Sequence, residues 1–190
     1  MTGVILFRAQ PFHNGHLHMI KKAFEDCRKD GTELYVFVGS ADKHGSKRNP
    51  LPIDFRVMLI MGSLHEVFSA DDMKHIHIIP LDDLTDESDN SYNWGRYLFM
   101  KMFYHTKDSD MTIYYSDRPE IMLGWFDNED RWCLRFKFLD RYEGISATMV
   151  RTLIQQSFEV AKNFVPNFVA MHFDQISDYM NKGEDSDASE

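Results

Sequence analysis

The chain has 190 residues, 43% of them hydrophobic and including 15 Phe and 12 Met, enough to bury one core of ordinary size. Its 21 basic and 30 acidic residues give a net charge of −9, which argues against a nucleic-acid partner, because a phosphate backbone is held by a surplus of Lys and Arg. No apolar run approaches the roughly 18 residues of a membrane span, and no basic-then-apolar leader is visible, so a cytoplasmic protein without a membrane partner is expected. The two cysteines, Cys27 and Cys133, are then expected to be free thiols, and neither has a neighbour at metal-binding spacing.

In chain order, Val4-Ile5-Leu6-Phe7 predicts a short buried strand. It is closed by Arg8-Ala9-Gln10-Pro11-Phe12-His13-Asn14-Gly15-His16, and the Leu17, Met19, Ile20, Ala23, Phe24 pattern that follows predicts an amphipathic helix. Strands are predicted over 33–38, 76–80, 111–115 and 132–138. Helices are predicted over 54–68 and 93–104, with a shorter piece around 121–126. The alternation implies a parallel sheet covered on both faces, with ligands at the carboxyl ends of the strands near the switch point. That rule places Arg8 to His16, Gly39 to Asn49 and Ser116 to Arg118 on one rim. The Met-rich, aromatic stripe from Met58 to Met122 is expected to be core. Near the C-terminal end, Ser146 can cap a helix running through Leu153 and Ile154. Gly183 to Glu190 carries four acids and no base, so residues 1–182 are expected to form a single domain and 183–190 a disordered, solvated tail.

Two of these segments can carry chemistry. A strand, tight turn and helix start aims backbone N–H groups at an anion, and His13 and His16, three residues apart, can point the same way. Gly15 between them suits close backbone approach to a ligand. Taken alone, the pair could also be two surface histidines or half of a zinc site. Gly144-Ile145-Ser146-Ala147-Thr148-Met149-Val150-Arg151 is a second helix start with an arginine one turn on. By itself it could hold phosphate or be a capped surface helix with a solvated arginine.

Together the two motifs resemble the nucleotidylyltransferase superfamily, which carries a His-x-Gly-His turn near the N-terminus and an Ile-Ser-x-Thr-x-x-Arg motif near the C-terminus. The whole of Arg8 to His16, Gly39-Ser40-Ala41-Asp42-Lys43 and Arg48-Asn49-Pro50 are similar to the archaeal-type nicotinamide mononucleotide (NMN) adenylyltransferases and their bacterial and phage relatives. Trp94 and Tyr115-Ser116 stand in matching places, and the likeness covers roughly residues 3–155. The chain departs from the family pattern at Phe7-Arg8-Ala9, at Ser146-Ala147-Thr148-Met149, and at Asn90, Ser91 and Asn93, where the asparagine three residues before the Trp is displaced.

The resemblance implies a nucleotidylyltransferase fold, a Rossmann-like parallel sheet of about five strands with helices on both faces. It implies transfer of AMP from ATP to NMN, giving NAD and pyrophosphate, with Mg²⁺ as cofactor held mainly by substrate phosphates rather than by protein ligands. Both substrates and both products are small molecules, and a homo-oligomer is compatible with the pattern. The implied catalytic residues are His13 and His16 at the α-phosphate, Arg8 at the triphosphate or the nucleophile, and Arg48 and Arg151 at the β- and γ-phosphates. The implied ATP site comprises Phe7, Gln10, Phe12, Gly15, Ser116, Ile145, Ser146 and Thr148. The implied NMN site comprises Gly39, Ser40, Asn49, Asn93 and Trp94, the indole stacking on the nicotinamide ring. Two other functions fit the same residues: AMP or CMP transfer to a different phosphorylated acceptor, or a non-catalytic module that senses a nucleotide.

Overall fold

The computed structural model describes residues 1–85, 92–116, 120, 124–126 and 133–187. Arg118, Asn90, Ser91, Trp132 and residues 121–123 of the expected short helix lie outside the described residues. Five strands form one sheet in the order β3-β2-β1-β4-β5, with β1 Thr2–Phe7, β2 Leu34–Val38, β3 Ile76–Pro80, β4 Met111–Tyr115 and β5 Leu134–Phe138. Every pairing is parallel, with Phe7 opposite Val38, Ile5 opposite Tyr114 and Tyr115 opposite Phe138. The strand order reverses at β1, which lies between β2 and β4. Parallel strands buried on both faces read as continuous apolar runs, as in β1 and β2, whereas the edge strand β5 alternates Leu134, Phe136 and Phe138 with Arg135 and Lys137.

The helices are α1 Asn14–Asp30, α2 Ile53–His65, α3 Tyr92–Thr106, α4 Ala147–Gln156, α5 Phe158–Ala161, α6 Asn167–Ala170 and α7 Phe173–Asp187. Period-two alternation divides the core between the two faces of the sheet. Ile5, Val36 and Val38 point to one face, where Ile20 and Phe24 of α1, Leu59 and Ile60 of α2, and Val150 and Ile154 of α4 cover them. Val4, Phe37 and Ile113 point to the other, beneath Trp94, Leu98 and Met102 of α3. α1 ends at Gly31, whose φ of 66° supplies the left-handed residue that closes a helix.

Three expectations meet a different structure. α2 stops at His65 rather than Phe68, because the amides of Val67 and Phe68 both turn back to the Leu64 carbonyl. The Met-rich stripe is core only in part, since Met100 is 61% exposed and Tyr104 65% exposed on the outer face of α3. α7 continues through Asp187, so helical backbone extends into the acidic segment expected to be disordered.

Candidate functional site

The carboxyl ends of β1, β4 and β5 open into a cavity of about 390 Å³, within the range of small-molecule sites. Its floor is the turn after β1. Ala9 adopts φ 53°, a left-handed conformation uncommon for a residue with a Cβ, and the Gln10–Pro11 peptide is cis. The turn delivers the chain to His13, the N-cap of α1, whose side chain caps nothing. The amides of Asn14, Gly15 and His16 therefore lack partners within the helix, and they and the helix dipole favour an anion at this end.

His13 and His16 stack on each other with ring centroids 3.7 Å apart and planes 22° from parallel. Gly15 makes that possible, because a Cβ there would lie 3.0 Å from the His13 ring. Behind them Phe12 stacks on His16 at 5.6 Å, and Phe7 leans on it at 4.4 Å. Burial lowers the His13 pKa to about 4. His16 is pushed well below its ordinary value, first by burial and then by the charge His13 would carry. Both rings are therefore neutral at pH 7. Their Nδ1 atoms have no hydrogen-bond partner among the described residues. A neutral imidazole carries one N–H, so each ring can donate a single hydrogen bond to an oxyanion that reaches it.

Charge is concentrated on the walls. Arg8, Arg48, Arg141 and Arg151 line the cavity, and Asp140 is the carboxylate among them. Burial is the first cause that lowers the Arg8 pKa, followed by repulsion from Arg48. Arg151 is lowered by burial and then by Arg8. Guanidinium groups remain protonated under such shifts, so a protein of net charge −9 presents a focused cationic recess. Arg151 is held by Nη1 donating to the Gln10 carbonyl at 2.6 Å, which ties α4 to the turn after β1. Opposite, the amino end of α4 faces in. The Ser146 Oγ accepts from the Met149 amide at 3.2 Å, the expected cap.

Of the residues singled out in the sequence, Arg8, Gln10, His13, Gly15, His16, Arg48, Ser116, Ile145, Ser146, Thr148 and Arg151 all line this one cavity. Gln10 does so with its side-chain amide engaged elsewhere. It donates to the Leu51 carbonyl at 3.0 Å and accepts from the Leu51 amide at 2.9 Å, fastening the turn to the loop that follows Arg48. Phe7 and Phe12 are not on the wall but form the apolar backing of His16. The residues expected at NMN also lie off it. Gly39 and Ser40 follow β2, where a Cβ on Gly39 would meet the Arg8 Cγ at 3.8 Å and the Ser40 hydroxyl donates to Asp83 at 3.1 Å. Asn49 is buried in the loop, Asn93 is exposed, and Trp94 is 8% exposed in the core under α3, against Tyr97 and Trp125.

Sequence reasoning missed Met19, Asp140, Arg141 and Tyr142 on the cavity wall. Each had a signal. Met19 is three residues after His16 and so on the same face of α1. Asp140 to Tyr142 follow the carboxyl end of β5, the position that drew attention to Ser116 after β4. Arg141 donates from Nε to the Ser116 carbonyl at 3.2 Å, joining the two strand ends.

Residues 8–153 match the family model described as cytidylyltransferase-like. Among curated proteins, the chain is 42% identical over 77 residues to a nicotinamide-nucleotide adenylyltransferase of Saccharolobus solfataricus, a match covering 40% of this chain and 41% of that protein. It is 32% identical over 88 residues to the enzyme of the same name from Halorubrum lacusprofundi, covering 46% and 45% respectively. These matches span less than half the length of the curated relatives. Among solved structures, the fold is similar to that of a bifunctional NMN adenylyltransferase/ADP ribose pyrophosphatase of Francisella tularensis complexed with AMP and a manganese ion. The TM-score is 0.70 at 20% identity, covering 98% of this chain and 53% of that one.

Proposed function

Since the chain belongs to the cytidylyltransferase-like family, we propose that it is a nicotinamide-nucleotide adenylyltransferase, transferring AMP from ATP to NMN to give NAD and pyrophosphate. The observation that carries this reading is the stacked His13–His16 pair at the amino end of α1, facing four arginines across one cavity. An oxygen of the NMN phosphate attacks the α-phosphorus of ATP, and the bond from that phosphorus to the bridging oxygen of the β-phosphate breaks. The attacking phosphate is already an anion at neutral pH, so the protein needs neither a side-chain nucleophile nor a strong base. Its work is to align two anions that repel each other and to stabilise the charge that develops between them.

His13 and His16, neutral in the buried turn, donate to the α-phosphate oxygens. Arg8 bridges the triphosphate and the incoming phosphate, while Arg48 and Arg151 take the β- and γ-phosphates. Ser146 and Thr148 bring the amino end of α4 to the same group, with Gly15, Ser116 and Ile145 shaping the nucleotide wall. Gln10 holds the turn in shape. The acceptor lies on the β2 side of Arg8, near Gly39, Ser40 and Asn49, with Asn93 and Trp94 on the α3 side.

Mg²⁺ fits this cavity as a substrate-borne ion. Among the described residues no group of three or more His, Cys, Asp and Glu side chains is placed to hold a metal. Asp140, the carboxylate on the wall, would be the protein group nearest to hand for it, and the triphosphate and water would supply most of the ligands. When bound, the ion neutralises part of the charge on the departing pyrophosphate. No helix among the described residues is long and apolar enough to cross a membrane. A cytoplasmic enzyme acting on small-molecule substrates is part of the same proposal.

Pyrophosphate release from ATP, measured with NMN beside other phosphate monoesters, tests the reading. NMN-dependent release that stops in excess chelator is expected. Turnover with another acceptor alone would reassign the substrate, full activity in chelator would remove the metal, and nucleotide binding without any release would leave a sensor rather than an enzyme.

A further inference from the structure

Arg56 is the largest fully buried side chain among the described residues, and it lies on α2, outside the cavity. Its guanidinium donates to three backbone carbonyls, with the charges of Asp83 and Asp42 acting on it from further off. Nη1 donates to the carbonyls of Arg8 and Gly39, each at 2.8 Å, and Nη2 donates to that of Ser40 at 2.7 Å. These carbonyls belong to the residues just past the last paired positions of β1 and β2, Phe7 and Val38. There the strands part to open the site, and their carbonyls lose the sheet partners they would otherwise keep.

The backbone at this point is also under strain. Ala9 at φ 53° follows Arg8, and Ser40 at φ 50° follows Gly39. Of these two left-handed residues that are not glycine, Ser40 itself carries one of the three carbonyls and Ala9 directly follows another, and such conformations persist only where surrounding contacts over-determine them. One planar fork reaches both strand ends at once, which a lysine ammonium, with its compact charge and different donor geometry, does not reproduce.

We propose that Arg56 is a positioning residue for adenylyl transfer, fixing the diverging ends of β1 and β2 so that Arg8 faces the triphosphate and Ser40 faces the acceptor. The proposal rests on the adenylyltransferase reading above. Arg56 touches neither substrate. Its effect passes through the backbone of Arg8, and a small misplacement of a reacting group has a large effect on rate.

The test compares Arg56→Lys with Leu64→Ala, a buried truncation further along α2 that lowers stability without touching the strand ends. Both are assayed at a temperature where circular dichroism shows them folded. Arg56→Lys is expected to lower kcat by on the order of tenfold or more and to weaken ATP binding by calorimetry by about fivefold, while Leu64→Ala keeps both values near wild type. An Arg56→Lys protein that is folded and retains wild-type kcat and ATP affinity overturns the proposal. So does failure of both Arg56→Lys and Arg56→Gln to fold, which would make Arg56 a residue of folding alone. If the wild-type protein itself does not turn over NMN, the adenylyltransferase reading fails, and the ATP affinity of the Arg56 variant still decides whether this side chain shapes the anion cavity.

Discussion

The two histidines are neutral because they are buried together, and that has consequences in solution. Under the proposed reaction, His16→Ala takes away a donor to the charge developing on the α-phosphate, so kcat is expected to fall on the order of a hundredfold while ATP affinity changes little. His13→Ala is expected to behave alike, and steady-state kinetics beside calorimetry check both. A loss confined to affinity would assign the pair to ground-state binding. Burial also links His13 to stability. The unfolded chain takes up a proton near pH 6.5 but the folded chain only near pH 4. Between those values the unfolded state holds more protons, so stability is full above pH 6.5 and is lost as the pH falls toward 4. The difference amounts to roughly 3 kcal/mol over the whole window, with His16 acting in the same direction. Urea titrations of wild type and His13→Asn from pH 7 to pH 4 read this directly. The variant's curve should be the flatter, and equal slopes would contradict a buried neutral His13.

At the scale of elements, α3 and α4 show how one kind of segment serves different ends. On α3, Trp94 is buried against Tyr97 and Trp125, and Gly95 lies so close to the Trp125 backbone that a Cβ would sit 1.6 Å from its carbonyl oxygen. Trp94→Ala is therefore expected to cost about 3 kcal/mol or more, a fall in melting temperature on the order of 10 °C. The affinities of that variant for ATP and NMN, measured while it is folded, decide its second role. A loss selective for NMN supports stacking on the nicotinamide ring, and equal affinities confine Trp94 to the core. Gly95→Ala has no room at all and should prevent α3 from docking, seen as loss of cooperative unfolding. On α4 the cap is polar and local. Ser146→Ala forfeits the bond from the Met149 amide and should cost about 1 kcal/mol by thermal melting.

At the scale of the whole molecule, the site is assembled from both ends of the chain. Arg151 on α4 holds the carbonyl of Gln10, and Gln10 holds Leu51, so three segments distant in sequence meet at the turn after β1. The last helix joins them from outside. Gly183 of α7 is buried, and a Cβ there would lie 3.1 Å from the carbonyl carbon of Ser46 and 3.2 Å from its oxygen, in the loop that carries Arg48. A larger side chain must displace that backbone. Gly183→Val is accordingly expected to raise the KM for ATP severalfold with a smaller change in stability, and unchanged kinetics would show that the loop yields without moving Arg48.

What the sequence determined by itself is the five strands, the helices α1 to α4 and the residue spacing at two helix starts, whereas α5, α6 and α7 carried no signal that was read. β3 and β4 run over the residues that the apolar runs marked, and Ser146 caps the helix it was expected to cap, because strand burial and capping are local properties of neighbouring residues. The His-x-Gly-His turn was legible for the same reason: spacing alone puts both imidazoles on one face. Tertiary structure alone decided which candidates share a cavity. It set Phe7 and Phe12 behind His16 rather than on the wall, placed Trp94 in the core, and added Asp140 to Tyr142 from a strand end with no motif of its own. It also gave Arg56 its three carbonyls. Such assignments depend on contacts between residues far apart in the chain, and the directions in which strand ends diverge are fixed only when the sheet is complete.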